Sequence, residues 1–275
     1  MRSSGSSPAT RRWECLQSRN PPLRNIGLRV LSLEYSRALP AAVVAIGFAV
    51  VARALGAVSD GGALAGVAIA FLLMVAAGLG GFLPLVAVFV LTLLATRWRR
   101  DRKQHLGVAE RRSGRTASQV IANLGVAALC AMAAIAFWRF EQMLMVGAMA
   151  ALAAAAADTV SSEAGQATAK RARMILNFRL APIGTNGAVS LEGTIAGCFA
   201  ATVVAWVSAF FGVVAAPWLP VIALAGIAGM LFDSVLGATL ENHGAMGNDS
   251  VNFVSTVFAA DLALITVLVV EGVRR

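Results

Sequence analysis

Eight apolar runs alternate with polar stretches along the chain, at about residues 41–57, 63–79, 81–96, 119–138, 142–157, 193–214, 217–237 and 252–270. A helix needs about 20 predominantly apolar residues to cross the hydrocarbon of a bilayer. Some of these runs are shorter, so the pattern predicts seven or eight crossings. Gly78, Gly80 and Gly81 punctuate the junction of the second and third runs, and Pro217 and Pro220 open the seventh. The expected architecture is an all-α polytopic membrane protein. It is a single bundle of about 7–8 transmembrane helices over residues 37–275, preceded by a basic, poorly ordered segment at 1–36.

Four polar stretches separate the runs: Ser59–Gly62, Arg97–Arg115, Asp158–Glu192 and Glu241–Asn252. With eight spans each stretch is two crossings from the next, so all four share one face of the membrane. The second and third are basic, and positive loops stay in the cytoplasm, so the polar loops are expected on the cytosolic face.

Composition agrees with the pattern. Hydrophobic residues make up 58% of the chain and charged residues 13%. A soluble domain is closer to about 25% charged. The excess is Ala, Val, Leu and Gly, which let membrane helices approach closely. The net charge of +9 falls in short blocks between apolar runs. It therefore reads as a topology signal, and no nucleic-acid partner is expected. Cys15, Cys130 and Cys198 show no disulfide or zinc spacing.

The polar stretches carry the candidate chemistry. Asp158-Thr-Val-Ser-Ser-Glu163 follows an alanine-rich run, where a carboxylate is costly unless paired or hydrated. Asp158 and Glu163 lie about 140° apart on an ideal helix. They share a metal only if the helix ends near Gly165 or another element closes over them; the alternative is a helix cap. Gly184-Thr185-Asn186-Gly187, followed by Ser190, Gly193 and Thr194, leads into an apolar helix. Its backbone N–H groups and hydroxyls suit a phosphate, or form a turn before a capped helix. Asn248, Asp249 and Asn252 group on one side of the next helix start and suit a hard cation, a sugar–phosphate or a cap. Arg115, Gln119 and Asn123 form an i, i+4, i+8 ladder able to grip a phosphate or to bond between helices. Asp233 is an acid within an apolar run. Lys170 and its basic neighbours suit a phosphate or mark topology, while Asp60 reads as a turn and His243 as a structural loop histidine.

The order of these motifs resembles an integral-membrane family known as domain of unknown function 92, which includes plant phytyl-phosphate kinase and animal transmembrane protein 19. The likeness rests on Asp158-Thr-Val-Ser-Ser-Glu163-Ala-Gly, Gly184-Thr-Asn-Gly, Arg115-Thr-Ala-Ser-Gln119, Asp233-Ser-Val-Leu-Gly and Asn248-Asp249-Ser-Val-Asn252. It covers about residues 40–272.

The resemblance implies phosphoryl transfer from a nucleoside triphosphate, CTP favoured, to an isoprenoid monophosphate such as phytyl phosphate. On that reading Asp158, Glu163 and Asp249 hold Mg2+. Residues 184–194, with Lys170, cradle the nucleotide phosphates. Arg115, Gln119, Asn123, Asp233, Asn248 and Asn252 hold the lipid phosphate. A cytidylyltransferase making a CDP-lipid, and a transporter of lipid phosphate or small anions, are the alternatives.

Overall fold

A computed structural model describes residues 23–108 and 113–273, with the side chains of 23–37 outside that description. The expectation for residues 1–36 falls, for its first 22 residues, outside the described part. Ala41 to Arg275 forms one compact unit.

The helices are α1 (Leu23–Ala54), α2 (Asp60–Arg97), the short α3 (Arg100–His105), α4 (Ala117–Ala136), α5 (Glu141–Thr168), α6 (Leu191–Phe210), α7 (Leu219–Leu236) and α8 (Asn248–Val273). Local chemistry sets several of their starts. The Ser59 hydroxyl accepts from the Gly62 N–H at 3.1 Å and opens α2. Thr116 and Gln119 form a reciprocal capping box at α4. Ser190 caps α6 by accepting from the Gly193 N–H at 3.1 Å.

Helix α2 is not one rod. Thirty-eight residues would span about 57 Å if straight. Yet Arg97 at its end donates to the Leu55 carbonyl, just before its start, at 2.6 Å. The reversal lies at Ala77 and Gly78, whose backbone leaves helical geometry, with Gly78 at φ +61°. A Cβ added at Gly81 would sit 2.4 Å from the Leu73 carbonyl oxygen, so only glycine permits this corner. Helix α2 is thus a hairpin of two arms, 60–76 and 79–97.

Among the described residues six helical stretches are long and apolar enough to cross a membrane, and Ala38–Ala54 is a shorter apolar one. Counting both arms of α2, the eight apolar runs of the sequence each have a helical counterpart.

Helix α5 is the axis of the bundle. Every residue from Met145 to Ala157 is buried, and α5 touches α2, α4, α6, α7 and α8. Alanine makes this possible, because helices pack in lipid by close approach of backbones. A Cβ at Gly197 of α6 would lie 2.8 Å from the Ala157 carbonyl, and one at Gly226 of α7 would lie 2.7 Å from the Ala153 Cβ. The outer faces carry exposed Leu, Ile, Val and Phe side chains, as lipid contact requires.

The link from α5 to α6 is not helical. It forms a small antiparallel sheet of β1 (Ala172–Met174), β2 (Leu180–Ala181) and β3 (Ala188–Val189), ordered β2-β1-β3. Arg173 pairs with Leu180 on one side and Val189 on the other. This sheet ties both ends of the Pro182–Gly187 loop.

The four polar stretches meet at one end of the bundle. Arg115 exchanges backbone hydrogen bonds with Ala57 and Ser59. Arg102 donates to the Ala169 carbonyl at 2.5 Å, and Asn242 donates to the Asn186 carbonyl at 3.1 Å.

Candidate functional site

A polar cavity of about 270 Å³ occupies that end. Helix α5 supplies Asp158, Thr159, Ser161, Ser162 and Gln166 to its wall; α7 and its continuation supply Asp233, Ser234 and Glu241. The 183–190 loop, Arg115, Gln119, Asn123, Asn248 and Asn252 complete the wall.

Asp158 and Asp233 come from different helices and lie side by side, close enough for the two carboxyl groups to interact. Both are half-buried. Ser255 of α8 donates to Asp233 Oδ2 at 3.1 Å and fixes its orientation. Arg115 and Glu241 lie within electrostatic reach of Asp158. Glu241 is brought there by a π-helical turn, Gly237–Glu241, that prolongs α7. Such turns recur at functional sites.

The loop is held at both ends of its run. Gly187 has φ +76°, and a Cβ there would lie 2.4 Å from the Ala238 nitrogen. Gly184 has φ +88° and abuts Val108. Both positions demand glycine, for the backbone angle and for space.

The structure sorts the expected residues. Asp158, Glu163, Gly184, Thr185, Asn186, Gly187 and Ser190 line the cavity, with Arg115, Gln119, Asn123, Asp233, Asn248 and Asn252. Gly193 and Thr194 do not, because both belong to the first turn of α6: the Gly193 N–H bonds Ser190 Oγ and the Thr194 N–H bonds the Ser190 carbonyl. Lys170 is exposed and does not line the cavity.

The trio of Asp158, Glu163 and Asp249 does not gather. Among the described residues no three Asp, Glu, His or Cys side chains come together as a metal-binding group. Helix α5 continues to Thr168 rather than ending near Gly165, so Asp158 and Glu163 keep their angular separation. Glu163 is turned to Lys103, whose Nζ lies 2.5 Å from Oε2. Asp249 is absent from the wall that its neighbours Asn248 and Asn252 line, because the i and i+4 positions share a helix face and i+1 does not.

The acid that joins Asp158 is instead Asp233, which the resemblance had grouped with the lipid-phosphate residues. His243 Nδ1 is hydrogen-bonded to the Thr239 carbonyl, in keeping with its structural reading.

Three contributors were not legible. Lys103 is 1% exposed and also donates to the Ala95 and Thr96 carbonyls. In the sequence it is one basic residue among many. Glu241 reads as the edge of a polar stretch, and Ser255 as a hydroxyl inside an apolar run.

The charge balance of the wall is informative. Lys103 compensates Glu163, which leaves Asp158, Asp233 and Glu241 facing Arg115, the one cation among the described lining residues. Two carboxyl groups side by side can hold a cation or share a proton. Mg2+ takes one or two protein carboxylates together with substrate phosphates and water. The Asp158–Asp233 pair fits that pattern, whereas no cage of three protein acids is present among the described residues.

A bundle of apolar helices around an alanine core, with a polar cavity at one end, defines a multi-pass integral membrane protein. The chain belongs to the family described as integral membrane protein DUF92, whose model matches residues 43–260. It is 34% identical over 211 residues to Protein VTE6, chloroplastic, of Arabidopsis thaliana, covering 73% of this chain and 63% of that protein. The match therefore spans less than two thirds of that relative. It is 35% identical over 193 residues to Uncharacterized membrane protein sll0875 of Synechocystis, covering 69% of this chain and 74% of the relative. Protein PGR of Arabidopsis thaliana is 29% identical over 184 residues, covering 58% of this chain and 64% of that protein. No solved structure matches the chain.

Proposed function

We propose that this protein is a membrane-embedded, Mg2+-dependent kinase of isoprenoid monophosphates that uses a nucleoside triphosphate, CTP by preference. The observation that carries the proposal is the pairing of Asp158 and Asp233 in one cavity with the glycine-bounded loop and Arg115. Phosphoryl transfer needs positioning and charge neutralisation more than covalent chemistry. This cavity offers both.

In this reading the 184–187 loop and Ser190 receive the nucleotide phosphates through backbone N–H groups and a hydroxyl. Asp158 and Asp233 hold the metal, which when bound neutralises charge on the transferring phosphoryl group. Arg115, Gln119 and Asn123 orient the lipid phosphate, together with Asn248 and Asn252. An oxygen of the lipid phosphate attacks the γ-phosphorus. The bond to the β,γ-bridging oxygen breaks, and the nucleoside diphosphate leaves. The attacking oxygen is already ionised, so no proton must be removed and no general base is needed. The basic residues of 97–115 and 170–179 favour a cytosolic orientation for this face.

The test is turnover by the purified protein with CTP, Mg2+ and prenyl monophosphates. Asp158→Asn and Asp233→Asn should each lower the initial rate by about 10²–10³-fold, the size seen when an oriented electrostatic group is removed from an active site. Their elution and melting should remain those of the wild type. Near-normal turnover in either variant would reject the assignment.

A further inference from the structure

The polar cavity does not end in solid packing at the Arg115–Gln119–Asn123 ladder. A second cavity, of about 140 Å³, lies against the same three side chains. Its wall is mainly apolar and includes Phe48 of α1, Gly66 of the first α2 arm, Val88 and Phe89 of the second arm, and Leu124 of α4. Phe48 and Phe89 meet edge to face, with ring centroids 5.0 Å apart, and form a firm boundary.

We propose that this apolar cavity is the binding site for the hydrocarbon chain of the lipid phosphate, with the phosphate on the shared ladder and Gly66 setting how bulky a chain is admitted beside it. The inference rests on the lipid-phosphate reading above and adds to it the place and selectivity of the chain. Two cavities of opposite character with one polar seam match an amphiphile. A soluble anion makes no use of the apolar half. A hydrocarbon chain supplies the dispersion contacts that an empty cavity forfeits.

Gly66 makes the idea testable. A Cβ built at this position meets nothing within 4 Å, so a larger side chain has room to grow without displacing backbone. Gly66 also lies inside a helical arm, where almost any residue other than proline is a better helix former. The series Gly66→Ala, Gly66→Leu and Gly66→Phe should therefore fill the cavity by degrees.

The experiment measures equilibrium binding of a radiolabelled twenty-carbon prenyl monophosphate to the full-length protein in detergent, without nucleotide. Gly66→Ala should bind nearly as the wild type, and Gly66→Phe about tenfold or more weaker, the effect of overfilling an apolar site by one to two kcal/mol or more. Binding of the five-carbon monophosphate should change little across the series. Long-chain binding by Gly66→Phe at wild-type strength would overturn the proposal. So would equal weakening of the five-carbon ligand, which would mean damage to the ladder.

A second measurement does not depend on any variant folding. A prenyl monophosphate carrying a photoreactive diazirine in its chain should label the wild-type protein within residues 48–55 and 85–96. Labelling confined to residues that do not line this cavity would overturn the site. Because neither readout involves phosphoryl transfer, loss of the kinase reading and loss of this binding site are separable results.

Discussion

Lys103 and Glu163 form a buried pair that joins the short basic helix α3 to the central helix α5. Removing one member of such a pair leaves the other charge without compensation and costs about 3–5 kcal/mol, whereas replacing both with apolar groups of similar size is close to neutral. Lys103→Met should therefore strongly lower stability to denaturant, and Lys103→Met with Glu163→Met should recover most of it. Equal instability of single and double variants, followed by the loss of helical circular dichroism in detergent, would argue against the pair. The sequence makes Asp158 conspicuous, as an acid at the end of thirteen consecutively buried, mostly alanine positions. It hides Lys103, since local pattern does not distinguish a lysine that caps carbonyls and a carboxylate from one that marks the inside of a membrane.

Helical periodicity decides which neighbours reach the cavity. Asn248 and Asn252 share a face that Asp249 does not, and the continuation of α5 past Gly165 keeps Glu163 turned from Asp158. The apolar runs were readable because membrane helices are defined by length and hydropathy. The sheet was not, because its strands are two or three residues long, too short to display alternation. That sheet nevertheless holds the 182–187 loop in place. Gly187→Ala tests its importance, since the new Cβ meets both a strained φ and the backbone of Ala238. A strained position of this kind costs about 1–3 kcal/mol. The expected result is a higher KM for the nucleotide with little change in KM for the lipid. A matching rise in both would mean that the loop serves the cavity as a whole rather than the nucleotide.

Convergence of four distant stretches on one end of the bundle is what turns scattered motifs into a site. Parity of the eight apolar runs was sufficient to expect it; which side chains face inward required the packing. In a chain freed of Cys15, Cys130 and Cys198, single cysteines at Ser59, Lys170 and His243 should all react with a membrane-impermeant maleimide from the same side. Protection of one from the side that labels the others would break the topology on which the cavity depends. The chemistry itself is tested most directly by following isotope from nucleotide to lipid. With purified protein, Mg2+ and a prenyl monophosphate, label in the γ-phosphate of CTP should appear in a prenyl diphosphate, and label in the α-phosphate should remain in CDP. Transfer of the α-label to the lipid, with release of diphosphate, would instead establish cytidylyl transfer and contradict the kinase assignment.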